Sequence, residues 1–340
     1  MFEESEMAAG RRNKTVLVTG ATGFIGGRLV GALAERGYEV VATSRRGPAG
    51  GTGHSAQGVT WRSCDLLDKG DVAEAVRDTK VGYFLVHSMG GGRTDYAARD
   101  RRAAENFATA AARAGLERIV YLGGPVRERG MSQHLRSRAE VGEVLRASGV
   151  PTIELRASMI VGHGGASWRI VRDLAKRLPV MLLPAWLNSR TRPVAIDDTI
   201  AALVAAAEIP LENSVSYDIP GPDTLSGREI LERIAALDDR RIPSVGVPLL
   251  TPRLSAAWLR FVSGADYDLA RELVVGLATD LLPESERYWE LIGHTELVPF
   301  DAAARRALAS EPERPEGVRA RLARLEESLV SRTPGRARPT

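Results

Sequence analysis

Thr19-Gly20-Ala21-Thr22-Gly23-Phe24-Ile25-Gly26 holds three glycines, each three residues from the next. Such a run lets backbone N–H groups close on a phosphate with no side chain in the way, and a helix start adds partial positive charge. Its surroundings supply that helix. Thr15-Val16-Leu17-Val18 before it is β-branched and apolar, as in a buried parallel strand. Phe24, Ile25, Leu29, Val30 and Leu33 after it fall near helical spacing, and Gly37 can end that helix. On this strand-to-helix turn Gly20 permits the bend, Gly23 lets the backbone approach a pyrophosphate, and Gly26 lets the helix pack close to the strand. Thr19, Gly20, Thr22, Gly23, Phe24, Ile25 and Gly26 are therefore the expected contacts of a dinucleotide; the competing reading is a plain glycine-rich turn.

Ser44-Arg45-Arg46 follows a second strand-like stretch, where such folds meet the adenosine ribose. A carboxylate there would bind the ribose hydroxyls of NAD. Two guanidiniums without a carboxylate repel each other unless an anion sits between them, which favours the 2′-phosphate of NADP(H). The alternative is two arginines facing water at a loop start. Asp65 and Leu66, after the third strand, are placed for the adenine, with Asp65 accepting its amino group or capping a helix.

The elements that position these residues alternate. Strands are expected at 39–43, 59–62, 81–86, 118–122 and 152–156, with helices at 69–78, 95–114 and 132–148 between them. This βαβα order demands a parallel sheet covered on both faces, with its ligand crevice at the carboxyl ends of the strands. Val86, His87 and Ser88 end the fourth strand at that crevice. Gly90-Gly91-Gly92-Arg93 beyond them reads as a flap. After Ala157 the rhythm breaks: helices at 167–178 and 197–208, a strand at 216–219, a Ser226-to-Glu229 capping box, a strand at 244–247 and a helix from Thr251-Pro252. The expected fold is α/β: a Rossmann-type doubly wound parallel sheet over residues 14–160, then a smaller, mostly helical substrate lobe over 161–330 in which the chain can return to the sheet. Residues 1–13 and 331–340 read as disordered tails.

Composition excludes several classes. The net charge of +3 over 340 residues, with no basic run interleaved with aromatics, argues against nucleic acid. No apolar run approaches ~18 residues, so no spanning helix is expected. The N-terminus lacks the apolar segment of a signal peptide. One cysteine, Cys64, excludes an intrachain disulfide and fits a reducing cytoplasm. The five histidines are scattered, so no metal site is expected. A small-molecule partner and a monomer or homodimer complete the expectation.

The nucleotide turn resembles that of extended and atypical short-chain dehydrogenases/reductases. Phe84-Leu85-Val86-His87-Ser88-Met89-Gly90, Tyr121-Leu122-Gly123-Gly124, and Ser132-Gln133-His134-Leu135-Arg136-Ser137-Arg138 with Glu140-Val141-Gly142 are similar to a bacterial atypical subgroup described as NAD(P)H-binding or epimerase-like. The resemblance covers about residues 15–219. It implies a Tyr-x-x-x-Lys pair after the fifth strand, aided by a serine or threonine at that strand's end. Here His134 falls at the tyrosine, Arg138 at the lysine, and Gly123 or Gly124 at the serine, so the usual proton relay is absent.

His134 and Arg138 share one helix face. An arginine can bind ribose hydroxyls and supply positive field near a nicotinamide. A histidine can donate a proton near neutral pH, which makes His134 a candidate general acid; the competing reading is a surface histidine beside a ribose ligand. Met159, His163, Arg190 and Arg192 are candidate substrate contacts, the arginines for a polar or anionic group. Met181, Leu182, Leu183, Trp186, Trp258 and Phe261 suit a ring-like substrate or serve only as core. Two functions fit these residues: an NADPH-dependent reductase of a small carbonyl or quinone-like molecule, and a non-catalytic NADP(H)-binding sensor or scaffold. An epimerase or isomerase that uses its cofactor transiently is a third.

Overall fold

A computed structural model describes residues 14–45, 57–87, 95–127, 131–177, 181–183, 185–240, 244–246 and 279–311. Arg46, Ser88, the expected 90–93 flap, both expected tails, the helix expected from Thr251, and Trp258 and Phe261 lie outside them, as do the side chains of Met181, Leu182, Leu183 and Trp186.

The chain opens with β1 (Thr15–Val18), α1 (Phe24–Glu35), β2 (Glu39–Ser44), β3 (Val59–Ser63), α2 (Lys69–Ala75), β4 (Val81–Phe84), α3 (Tyr96–Ala114), β5 (Arg118–Gly123), α4 (Gln133–Arg146) and β6 (Thr152–Arg156). It continues with β7 (Ile160–Val161), α5 (Ala166–Arg177), β8 (Met181–Leu183), β9 (Arg190–Thr191), β10 (Val194–Ala195), α6 (Ile196–Ala205), β11 (Val215–Asp218), β12 (Leu225–Ser226), α7 (Gly227–Ala236), β13 (Ser244–Gly246), α8 (Arg287–Leu291) and α9 (Phe300–Ala309).

Seven parallel strands form one sheet in the order β11-β6-β5-β4-β1-β2-β3. The order reverses between β1 and β4, which opens the crevice at their carboxyl ends. Val16, Leu17 and Val18 are fully buried, because a central strand of this kind is covered on both faces. One face packs on α1 and α6, the other on α2, α3 and α4. The lobe has its own apolar centre, with Trp168, Leu174, Ile230, Ile234 and Phe300 under α5, α7 and α9.

The chain of the lobe returns to the sheet. Val215–Asp218 returns to the main sheet and pairs with β6, and α6 packs on α1. Without β11 the polar edge of β6 would be bare. The rest of the lobe is also less helical than expected: its strands pair two by two, β7 with β10, β9 with β12 and β8 with β13. The fourth strand ends at Phe84 rather than Val86, because the N–H of Leu85 leaves the ladder and donates to Thr19 Oγ1 at 3.2 Å. That hydroxyl also donates to Tyr83 O at 2.9 Å. Thr19 is fully buried. The expected cofactor contact is a pin between β1 and β4.

Under α4 the sheet carries a buried charge. Glu154 on β6 has no exposed surface. It pairs with Arg146 of α4 and, at 3.2 Å, with Arg156 at the end of β6. Glycines make the space. A Cβ at Gly123 would lie 2.7 Å from Glu154 Oε1, and one at Gly142 would lie 2.8 Å from it. Breaking such a pair strands charge in a medium that cannot solvate it. Glu154→Gln is expected to cost about 3 kcal/mol of stability, read as a lower urea midpoint at unchanged slope.

Candidate active site

At the first turn, Gly20 has φ +69°. A Cβ there would lie 2.9 Å from Leu85 O, and one at Gly26 would collide with the Gly20 carbonyl. The helix therefore lies directly on its own turn. Gly23 is the N-cap of α1, and no side chain caps the helix. Thr22 and Gly23 are exposed, and Phe24 and Ile25 are half-buried. Uncapped amides at an open crevice, with no Cβ above them, fit a diphosphate.

A second element closes beside this turn. Gly162 and Gly165 pack against the Phe24 ring, at 3.0 and 3.1 Å from where their Cβ atoms would stand. Arg28 Nη1 donates to Phe24 O at 2.9 Å, and its Nη2 donates to His163 O at 2.8 Å. The guanidinium lies 4.7 Å from the Phe24 ring centre. His163, expected at the substrate, thus sits against the dinucleotide turn. Sequence reading missed Arg28; its only signal was a place one helical turn beyond Phe24.

On the adenosine side, Ser44 is half-buried and Arg45 exposed at the end of β2. Asp65 Oδ1 accepts from Leu67 N at 3.0 Å, so one carboxylate oxygen is engaged by its own turn. The cap of α2 is Asp68, not Asp65. Leu66 is buried, and its carbonyl accepts from Asn106 Nδ2 at 2.9 Å. Burial, then the charges of Asp71, Asp65 and Asp68, push the Cys64 thiol up to about 12, which makes it unreactive near neutral pH.

Val86, His87, His134 and Arg138 gather at the other end of the crevice. Val86 Cγ2 lies 3.1 Å from the Cβ position of Gly20. The His87 and His134 rings stand 5.8 Å apart, tilted by 45°. Arg138 Nη2 donates to Leu122 O at 2.7 Å, and Tyr121 Oη donates to Arg138 O at 3.0 Å. Burial, then the Arg138 charge, then His87 pull the His134 pKa down to about 3. His87 is pulled the same way by burial and Arg138, but part of it meets solvent, where water screens the effect. The arrangement of charges is thus simple: two imidazoles held toward their neutral forms beside a guanidinium. The proton-donating role expected of His134 needs an imidazolium, and desolvation beside a fixed cation removes that form near neutral pH.

The expected substrate residues do not converge. Met159 is buried in the lobe's centre. Arg190 is exposed, and its charge acts on Glu229 at the cap of α7. Arg192 is engaged, its Nε donating to Gly221 O at 2.8 Å and its Nη1 pairing with Glu286. Among the described residues, no group of three or more His, Cys, Asp or Glu could hold a metal, and no helix is long and apolar enough to cross a membrane.

Residues 16–140 match the NAD dependent epimerase/dehydratase family. The resemblance to the extended short-chain dehydrogenases/reductases holds. A ceramide reductase of Caulobacter vibrioides is 28% identical over 79% of this chain and 86% of its own length. The NADPH-dependent quinone oxidoreductase of Escherichia coli, solved with NADPH, superposes with a TM-score of 0.69 at 21% identity over 85% of this chain and 98% of its own. A Bordetella bronchiseptica enzyme solved with NAD+ gives a TM-score of 0.64 at 16% identity over 87% and 97%. The chain's relatives by sequence include reductases, and its fold is shared with solved oxidoreductases and epimerases.

The departures from the Tyr-x-x-x-Lys and serine pattern that the resemblance implies are explained by packing. A serine at Gly123 would press its Cβ on Glu154, and one at Gly124 would stand 3.0 Å from Leu135 Cδ2 and 3.6 Å from Arg138 Cδ. The hydroxyl is missing where an arginine stem and a buried carboxylate take its volume. His134, with its pKa below the unfolded value of about 6.5, contributes stability that is present above that value and lost as pH falls toward 3. His134→Gln is therefore expected to be less acid-sensitive. Between pH 7 and 5 it should lose about 1 kcal/mol less than the parent in paired urea titrations.

Proposed function

We propose that the chain is an NADP(H)-dependent reductase of a small ring-containing carbonyl or quinone-like acceptor. The turn into α1, with no side-chain cap and with glycine at positions 20, 23 and 26, carries this reading, and the NADPH-bound Escherichia coli relative supports it. Thr22, Phe24, Ile25 and Gly26 would hold the diphosphate through their amides, over Gly23, whose own N–H closes the turn on Gly20 O at 2.9 Å. Arg45, with Arg46 beyond the described residues, would hold the 2′-phosphate by charge-assisted hydrogen bonds. Asp65 and Leu66 would face the adenine, and Val86 and His87 the nicotinamide. When bound, the dihydronicotinamide supplies a hydride.

The chain's own residues do the rest. Arg138, fixed by Leu122 O, provides a cation that stabilises negative charge developing on an acceptor oxygen. His134 is neutral, so it donates an N–H hydrogen bond to that oxygen and keeps its proton. The proton comes from water. Acceptors whose reduced form is a stabilised anion suit such a site better than simple ketones, because they do not need a strong acid in the transition state. A cofactor-binding protein without turnover remains the second reading, favoured by the missing tyrosine, lysine and serine.

Fluorescence titration separates the parts. Arg45→Glu is expected to weaken NADPH binding at least about tenfold and leave NADH unchanged; equal losses for both would sink the NADP assignment. His134→Ala should lower kcat for quinone reduction about 100-fold with NADPH binding intact. The parent's rate should show no limb near pH 6.5. NADPH binding with no oxidation across quinones and carbonyl compounds would favour the non-catalytic reading.

A further inference from the structure

Residues 281–286 form a strap across the carboxyl ends of β5, β6 and β11. Leu281 N donates to Arg190 O at 2.7 Å, and Asp280 Oδ1 accepts from Arg190 N at 2.8 Å. Arg127, four residues past β5, donates to Leu282 O. Glu284 N donates at 2.6 Å to Asp218, the last residue of β11. Glu286 pairs with Arg192. Beyond the strap, α8 is fixed by two buried aromatics: Tyr288 Oη donates to Ala202 O at 2.8 Å and Trp289 Nε1 to Pro220 O at 2.9 Å.

The space under the strap is too small for any organic acceptor. The cavity between Pro125, Arg156, Ser158, Arg192 and the strap encloses only about 10 Å³, room for about one water. On the strap's other side a cavity of about 250 Å³ lies against β11 and α8. Arg156 and Asp218 line both. Raising 282–286 therefore joins them into one cavity beside the end of β5. An acceptor seated there needs that movement.

The tether that resists the movement is also the one that an acidic ligand would replace. The Arg192 side chain is 13% exposed and is oriented by its bond to Gly221 O; the Glu286 side chain is 52% exposed. A buried, oriented guanidinium held by a half-solvated carboxylate is a poor permanent bond, because water already competes for the acid. It is a good exchange site, because the guanidinium keeps its position when the carboxylate leaves. We propose that Glu286 occupies on Arg192 the place of the substrate's own carboxylate, so that an acidic acceptor exchanges with Glu286 and lifts the strap. This names the substrate class for the crevice and rests on the reductase reading given above.

Hydrogen–deuterium exchange on the full chain, with and without NADPH, tests it, using benzoate as the acidic probe and benzamide as its neutral match. Benzoate should speed exchange at 281–286, and benzamide should not. Glu286→Gln should exchange there at least about fivefold faster and bind benzoate about tenfold tighter by ligand-observed NMR, with benzamide unchanged. Arg192→Gln should loosen the strap as well but gain no benzoate affinity, which separates an anion site from a merely structural bond. Equal binding of benzoate and benzamide by Glu286→Gln, or a strap indifferent to both the substitution and benzoate, overturns the proposal. NADPH titration of the same samples keeps the two readings apart. A strap that answers to benzoate in a chain that ignores NADPH sinks the reductase and leaves the anion exchange standing.

Discussion

Close approach of backbone to backbone at the carboxyl edge of the sheet is the constraint from which the site follows. At Gly26 the helix lies on the carbonyl of Gly20, with no room for a methyl group. At Gly221 the chain runs against the Pro193 carbonyl, equally without room. At Gly123 and Gly142 the missing side chains hold the Glu154 carboxylate. In each case the absence of a Cβ lets a polar backbone or a charged group stand where a side chain would otherwise be. Substitution at these positions acts on the crevice through the backbone, since close-packed interiors move neighbours rather than absorb extra atoms.

The same close packing sets the electrostatics. Glu154 carries two arginines because a lone carboxylate could not persist beneath α4. Arg138 lies on the same helix face, one turn before Gly142, and its charge reaches His134 and His87. Desolvation and that cation act in the same direction on both rings, so among the described residues this end of the crevice holds a positive charge and two imidazoles held toward their neutral forms. Hydride chemistry tolerates this arrangement when the product anion is stable by itself. It would serve an ordinary alcohol dehydrogenation badly, since that reaction needs a base to take the hydroxyl proton.

Much of this was legible in the chain. The glycine turn, the alternation through β6 and the pairing of His134 with Arg138 on one face follow from local spacing, and local spacing survives folding. The capping box at Ser226 and Glu229 forms as read, with Glu229 Oε2 accepting from Ser226 N at 2.7 Å. What sequence could not give were bonds between distant segments. Thr19 reads as a phosphate contact until Leu85 N is seen on its hydroxyl. His163 reads as a substrate contact until Arg28, 135 positions away, takes its carbonyl. The strand read at 216–219 forms one residue earlier, at Val215–Asp218, but its pairing with the distant β6 was not something local spacing could name. How far His134 is held toward its neutral form was not legible for the same reason. Its spacing from Arg138 was visible, but the burial that dominates the shift comes from packing.

Arg192 shows how such a long-range bond changes a reading rather than cancelling it. Taken alone, an arginine before a helix suggests either an anion site or a surface pair. The structure supplies the pair, with Glu286, yet the way it is held argues for more than surface stabilisation. The guanidinium is spent on orientation, through Gly221 O, whereas its partner stands half in water. A bond meant only for stability would gain from burying both members or from leaving both free. Here one side is built and the other is replaceable. A hydride-transfer site has reason for that asymmetry, since it must admit its acceptor and then exclude water. A strap in which one of the ties is an exchangeable carboxylate meets both demands.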